Sequence, residues 1–378
     1  MTTAVPKLFS PAKVGNVTIQ HRVVLAPLTR FRAQKSHTHS KMAIEYYTQR
    51  ACVPGTMMIS EATFIAPQAG GLTFVPGIWN QEQIEAWKPI VEAVHAKGSF
   101  IYMQLWALGR AAEPSVLENE GPYPYVSASD VTHPERKFPP RPLTTDEVKQ
   151  YVKWYAQAAA NAVHGAGFDG IEIHGANGYL VDQFIQDVTN KRTDEYGGSI
   201  ENRARFALEV IDAIVEKIGP ERTGIRLSPW GNYGGMRMAE PMPQFAYVVQ
   251  KIKERQPNLA FIHLVEPRVD GIKEREVPAG VSNDFIREIW APRPLITAGG
   301  YTRDLALEVA ETKGDLIGFG RPFIPNPDLP LRLKKNLPLV VYNRKTFYDT
   351  EKPEGYIDYP FAPENVADLG PTPSLSRL

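Results

Sequence analysis

The sequence predicts an α/β protein, a single (β/α)8 barrel with an N-terminal β-hairpin across its floor and a long insertion after the third strand. Three observations carry this. Short apolar runs alternate with longer helical patterns, which is the signature of βα units and a parallel sheet. About eight such runs occur, the number that closes a barrel, and 378 residues suit one barrel domain. Polar side chains also gather just after the apolar runs, where a barrel displays its chemistry.

The elements follow in chain order. Residues 8–20, with the turn signal Gly15-Asn16, read as a hairpin that plugs the barrel floor. Strands are predicted at 23–27, 57–61, 100–104, 170–174, 224–228, 261–265, 295–298 and 316–318. Residues 107–142 are too many and too Pro-rich for a simple connection, and predict a lid or subdomain over the top. From 145 to 164, Val148, Tyr151, Val152, Tyr155, Ala159, Ala162 and Val163 recur at helical spacing, and Thr144 with Glu147 forms a capping box. A second clear helix opens at Ser199, with Glu201 in its first turn and Phe206, Ala207, Val210, Ile211 and Ile214 on one face. The TIM barrel is expected to span 1–362, with 363–378 an extended tail rich in Pro and small polar residues.

Charge narrows the partners. Lys plus Arg equals Asp plus Glu at 42 each, with no run of one sign, so nothing calls for nucleic acid or an anionic membrane. A small-molecule ligand is expected, bound by a monomer or homodimer. The single cysteine, Cys52, excludes an internal disulfide framework and thiolate zinc clusters, and suits a reducing compartment. Residues 1–10 lack a basic region followed by an apolar stretch, and no run is long enough for a membrane helix. The last three residues, Ser376-Arg377-Leu378, resemble the Ser-Lys-Leu peroxisomal address, so the expected location is cytoplasmic or peroxisomal.

The strand ends define the chemistry. After the apolar run at 170–173 come His174, Asn177 and Tyr179: hydrogen-bond donors and one proton source, with no nucleophile and no metal cluster. Such a set grips an oxygen and delivers a proton. Thr29 follows the first strand, Glu61 and Ala62 close the second, Gln104 closes the third, and Arg226 lies within the fifth. Gly299 and Gly300 follow the seventh strand, and Gly320 with Arg321 the eighth. Barrels often hold a phosphate between those last two loops, where small residues let backbone amides approach and an arginine completes the charge.

Other chemistries fail at the same positions. A retaining glycosidase needs two flanking carboxylates, and the seventh strand ends in Ala298-Gly299. No strand end supplies an aldolase lysine, His174 has no histidine partner for a metal site, and no Gly-x-Gly-x-x-Gly follows a strand. A barrel holding a phosphorylated cofactor remains, with no metal. A phosphate-binding isomerase or a noncatalytic binding barrel is the alternative reading. Arg226 has a competing role as an interior charge paired with Glu172, whose inward parity it shares.

Taken together, Ala26-Pro27-Leu28-Thr29-Arg30, Gln104-Leu105-Trp106, the segment from 174 to 179, Asp194-Glu195-Tyr196-Gly197-Gly198-Ser199 with Glu201-Asn202-Arg203, and Gly320-Arg321 resemble the Old Yellow Enzyme family. The likeness runs from about residue 8 to 359 and is similar to the plant 12-oxophytodienoate reductases. It implies a barrel that binds FMN without a covalent link and reduces activated C=C bonds with NADPH or NADH. On that resemblance, Pro27, Leu28 and Ala62 would lie against the isoalloxazine ring, Thr29 would bond its O4 region, and Gln104 would pair with its pyrimidine edge. Arg226 would sit by N1 and O2, and Gly299, Gly300, Gly320 and Arg321 would hold the phosphate. His174 and Asn177 would bind the substrate oxygen, Tyr179 would protonate the α-carbon, and Phe31, Trp106 and Tyr348 would wall the pocket, though each also suits core packing. In similar fungal enzymes a Phe at the Tyr179 position accompanies isomerase behaviour; here the acid is present. Gly300 departs from the many relatives that carry a polar side chain there.

Overall fold

The computed structural model describes residues 5–271 and 273–365. Eight parallel strands form a closed ring: β1 (Val23–Leu25), β2 (Met57–Ile59), β3 (Phe100–Trp106), β4 (Gly170–Gly175), β5 (Thr223–Leu227), β6 (Phe261–Val265), β7 (Leu295–Ala298) and β8 (Leu316–Phe319). The ring closes where Ile317 of β8 registers with Val23 of β1, and Met57 of β2 with Phe100 of β3. The expected (β/α)8 barrel is therefore present. Strand β1 ends earlier than the sequence suggests, because Ala26 still donates to Phe319 O but Pro27 has no N–H to continue the ladder. A two-residue strand, Thr63–Phe64, extends the sheet beside the upper half of β3.

Helices α1 (Met42–Arg50), α2 (Gln81–His95), α3 (Thr145–Ala160), α4 (Ile200–Ile218), α5 (Pro241–Arg255), α6 (Asp284–Trp290), α7 (Arg303–Lys313) and α8 (Leu329–Lys335) alternate with the strands. Thr144 and Glu147 form the predicted capping box on α3, and Ser199 caps α4 through the Asn202 amide. The helix expected to reach residue 164 is α-helical only to Ala160. Residues Asn161–Gly165 widen into a π-turn, where Asn161 Nδ2 is drawn to the carbonyl of Ile78 at 2.8 Å.

Period-two alternation gives each strand two faces. Leu25, Met58, Ile101, Ile171, Ile225, Leu264 and Ile317 join the helices in the outer core. Val24, Met57, Ile59, Tyr102, Phe261, Ile296 and Leu316 form a separate apolar cluster inside the ring. Val14, Val17 and Ile19 complete that cluster from the hairpin Ala12–Val14 and Val17–Ile19, which closes the floor as the sequence predicts. Higher on the same inward face the residues become polar: Gln104, Glu172, His174, Arg226 and His263.

The insertion at 107–142 docks as a cap. Its Leu108, Ala112 and Leu117 are buried with Phe64, Val75 and Trp106, and it carries a short helix, Pro114–Glu120. At the boundary drawn at residue 363, residues 363–365 are helical rather than extended, and buried Asn365 reaches Cys52 Sγ at 3.6 Å. The tripeptide Ser376-Arg377-Leu378 lies outside the described residues. Among the described residues no helix is long and apolar enough to cross a membrane.

Candidate active site

The ends of several strands converge on one cavity of about 430 Å³ at the C-terminal face of the ring. Of the residues singled out from sequence, Pro27, Leu28, Thr29, Asn177, Tyr179, Arg226, Gly299, Gly300, Gly320, Arg321 and Tyr348 line it. Ala62, Gln104, Trp106 and His174 are buried and do not line it. Phe31 also lies off the cavity wall and meets Tyr348 edge-on, ring centroids 5.7 Å apart.

The end of β4 is a packed aromatic cluster. The His174 ring lies parallel to Trp106 at 6.2 Å and edge-to-face with Tyr179 at 4.8 Å, while Trp106 meets Tyr179 at 4.7 Å. Burial first, then the neighbouring Arg226 and His263, hold His174 well below the ordinary histidine range, so its ring is neutral at pH 7. Its Nδ1 accepts the Ala176 N–H at 3.4 Å, which leaves the proton on Nε2 as a donor. Burial also raises the Tyr179 phenol, reinforced by Tyr233 and Tyr348, and keeps it protonated. Asn177 has a left-handed backbone, φ +57°, and its N–H donates to Ser228 Oγ at 2.7 Å. Behind this loop, burial pushes the Asp182 carboxyl up to about 7 against hydrogen bonds from Gln186 and the Gly178 amide.

Beneath the cavity, fully buried Glu172 accepts from Gln104 Nε2 at 2.8 Å and sits 2.7 Å from His263 Nδ1. Among the described residues Arg226 and Glu172 form no ion pair within 4.0 Å, although Glu172 remains an electrostatic neighbour of the guanidinium. Arg226 Nε is buried with no hydrogen-bond partner among the described residues. A polar atom so placed awaits an acceptor that the protein does not supply.

The far end of the cavity is a cradle of backbone. Gly299 and Gly300 have φ of +129° and +63°, and a Cβ built on Gly299 would lie 2.1 Å from Val269 Cγ2. Arg268 crosses this turn, donating from Nε to the Gly299 carbonyl at 2.5 Å with its guanidinium 4.2 Å over the Tyr301 ring. Arg321 pairs with Glu274 at 3.0 Å. Among the described residues no group of His, Cys, Asp and Glu could hold a metal ion.

The family model for the NADH:flavin oxidoreductase / NADH oxidase family matches residues 7–340. The chain is 48% identical over 363 residues to a chanoclavine-I aldehyde reductase of Penicillium roqueforti, covering 95% of this chain and 97% of that one. It is 46% identical over 369 residues to a probable inactive dehydrogenase of Claviceps fusiformis, covering 94% and 95%. The crystal structure of Old Yellow Enzyme from a Pichia species matches with a TM-score of 0.86 at 39% identity, over 94% of each chain. The chain belongs to the Old Yellow Enzyme family. It is an NAD(P)H:flavin oxidoreductase of the FMN-dependent type.

The residues present fit the flavin nucleotide of an Old Yellow Enzyme. The glycine cradle and Arg321 suit a phosphate, Arg226 Nε, without a partner among the described residues, suits the polar edge of a heterocycle, and Pro27 and Leu28 offer an apolar wall between them. Sequence reasoning missed Tyr233, Glu274, Tyr301, Tyr342 and Arg344, which also line the cavity. Tyr233 was within reach, since it sits in the glycine-rich stretch Gly231-Asn232-Tyr233-Gly234-Gly235 just past β5, where barrel sites are built. Tyr342 and Arg344 come from the segment after α8 and carry no local signal.

Proposed function

We propose that this Old Yellow Enzyme reduces the C=C bond of α,β-unsaturated carbonyl or nitro compounds, with non-covalent FMN and NADPH or NADH as donor. The observation that carries the reading is the neutral His174 ring set edge-to-face against protonated Tyr179, two donors of different kinds at one strand end. Bound FMN supplies the hydride chemistry, from the nicotinamide to the electron-poor β-carbon. Pro27, Leu28 and Ala62 would flank its ring, Thr29, Gln104 and Arg226 would hold its polar edges, and Gly299, Gly300, Gly320 and Arg321 its phosphate.

The side chains then act on the substrate. His174 through Nε2–H and Asn177 through its amide donate to the carbonyl or nitro oxygen and stabilise the negative charge that develops there. A neutral imidazole donates without bringing a second full charge beside Arg226. Tyr179 transfers its proton to the α-carbon, a contribution worth about a hundredfold to ten-thousandfold in rate. Phe31, Trp106 and Tyr348 would shape the substrate space, Tyr348 directly and the other two from behind. The Penicillium relative is named for an aldehyde, so unsaturated aldehydes belong beside enones, maleimides and nitroalkenes in the substrate panel.

The test is spectroscopic. Purified protein should show flavin absorbance, bleach anaerobically with NADPH or NADH, and recover its colour when cyclohexenone or a nitroalkene is added. Bleached protein that recovers with oxygen but with no unsaturated compound in the panel sinks the proposal.

A further inference from the structure

The helix after the β4 loop, Leu180–Ile185, sends two side chains back to the two polar groups of a single residue. Asp182 Oδ2 accepts the Gly178 N–H at 2.9 Å, and Gln183 Nε2 donates to the Gly178 carbonyl at 2.7 Å. Gly178 stands between Asn177 and Tyr179. Both Asn177 and Gly178 have positive φ, +57° and +77°, a left-handed conformation that glycine adopts freely and asparagine tolerates better than other L-residues. A Cβ at position 178 would also lie 2.8 Å from Met236 Cγ, so the tight geometry is specific to glycine.

Both anchoring side chains are completely buried and tied elsewhere. Asp182 Oδ1 accepts from Gln186 Nε2 at 2.8 Å, and Gln186 in turn accepts the Arg237 and Met238 amides at 2.9 and 3.2 Å. Gln183 Oε1 accepts the Arg110 amide at 3.1 Å and the Ser127 hydroxyl at 2.7 Å, both in the cap, and Gln183 Nε2 also reaches the Leu108 carbonyl at 2.9 Å. Among the described residues Asp182 makes no ion pair within 4.0 Å. A buried carboxyl without a cationic partner is costly, so an apolar residue would serve packing better unless the acceptor oxygen is used.

We propose that Asp182 and Gln183 are positioning residues that lock the Gly178 peptide and thereby fix the Asn177 amide and the Tyr179 phenol against the substrate. Gln183 joins this lock to the cap, so the cap and Tyr179 share one reference point. The inference rests on Tyr179 acting as the proton donor.

The experiment compares Asp182→Ala, Asp182→Asn, Gln183→Leu and Tyr179→Phe holoenzymes, following anaerobic flavin reduction by NADPH and reoxidation by cyclohexenone separately. Amide hydrogen exchange of residues 174–182 is read in the same proteins. Asp182→Ala and Gln183→Leu should leave flavin reduction within about twofold, slow reoxidation about tenfold to a hundredfold, and speed exchange at Gly178. Asp182→Asn, which keeps an acceptor oxygen, should recover most of the rate. Equal slowing of both half-reactions, no slowing of reoxidation, or no rescue by Asn overturns the proposal. If Tyr179→Phe itself reoxidises at the native rate, the reading of Tyr179 falls; exchange at Gly178 unchanged in Asp182→Ala refutes the lock whatever Tyr179 does. Should Asp182→Ala fail to fold, Gln183→Leu and Asp182→Asn decide the matter on the same readouts.

Discussion

The floor and the mouth of the barrel share one inward parity, and on β3 and β6 the same strand, yet they are built for opposite purposes. At the floor the inward residues are Val24, Met57, Tyr102, Phe261, Ile296 and Leu316, sealed by the hairpin. At the mouth they are Gln104, Glu172, His174, Arg226 and His263, with a buried carboxyl group, a neutral imidazole and a guanidinium nitrogen that lacks a partner among the described residues. Burying apolar surface stabilises the fold, whereas burying charge opposes it unless every group is satisfied. A few residues along one strand thus separate stability from chemistry.

Substitutions at the two ends should therefore produce opposite signatures. At the mouth, Tyr179→Phe should slow enone reduction about a hundredfold or more while flavin reduction and melting temperature stay at native values, as stopped-flow and thermal denaturation would show. At the floor, Phe261→Ala should cost about 3–5 kcal/mol of stability by denaturant titration, while turnover per folded molecule is unchanged. A floor variant that folds normally but loses turnover would break the separation. Arg226→Met should abolish or sharply weaken flavin retention, yet leave the cofactor-free protein as stable as the native one or more so, because an unsatisfied buried group is removed. Equilibrium dialysis against FMN and melting of both apoproteins would check this.

The smallest effect is one of pH. The Asp182 carboxyl is held near 7 in the fold, against an ordinary value of 3.8. Between those values the folded chain keeps a proton that the unfolded chain has released, so this group's contribution to stability declines as pH rises through that window. Buried histidines such as His174, whose folded values are depressed, act in the opposite direction. The difference between native protein and Asp182→Asn isolates the carboxyl: the native protein should lose more stability than the variant from about pH 4 to pH 7. Parallel stability curves would show that Asp182 is not buried with a raised affinity for its proton.

Much of this was legible in the chain, for a definite reason. A parallel strand covered on both faces reads as a short apolar run, and a polar residue breaking that run at its end has few other places to point. Hence Gln104, His174, Arg226 and the glycines at 299 and 300 were found from local pattern, as were the caps Thr144 and Ser199. The positions that escaped depend on contacts distant in sequence. Asp182 and Gln183 look like ordinary polar residues in an apolar helix until Gly178 and the cap are brought against them. Tyr342 reaches the cavity from beyond the last barrel helix, and the partnering of Glu172 by His263 rather than Arg226 is decided between strands. The insertion read as a lid because its length was visible and its buried leucines had no visible counterpart.

The hydrogen bonds to Gly178 come from a helix and, through Gln183, a cap whose residues do not line the cavity, whereas Tyr342 and Tyr348 line it from the segment after α8 and Tyr233 from the loop after β5. Tyr342 and Tyr348 stand on a segment separate from that helix and cap. Exchanging Tyr342 or Tyr348 therefore alters the cavity wall at a place that the hydrogen bonds holding Gly178 do not reach.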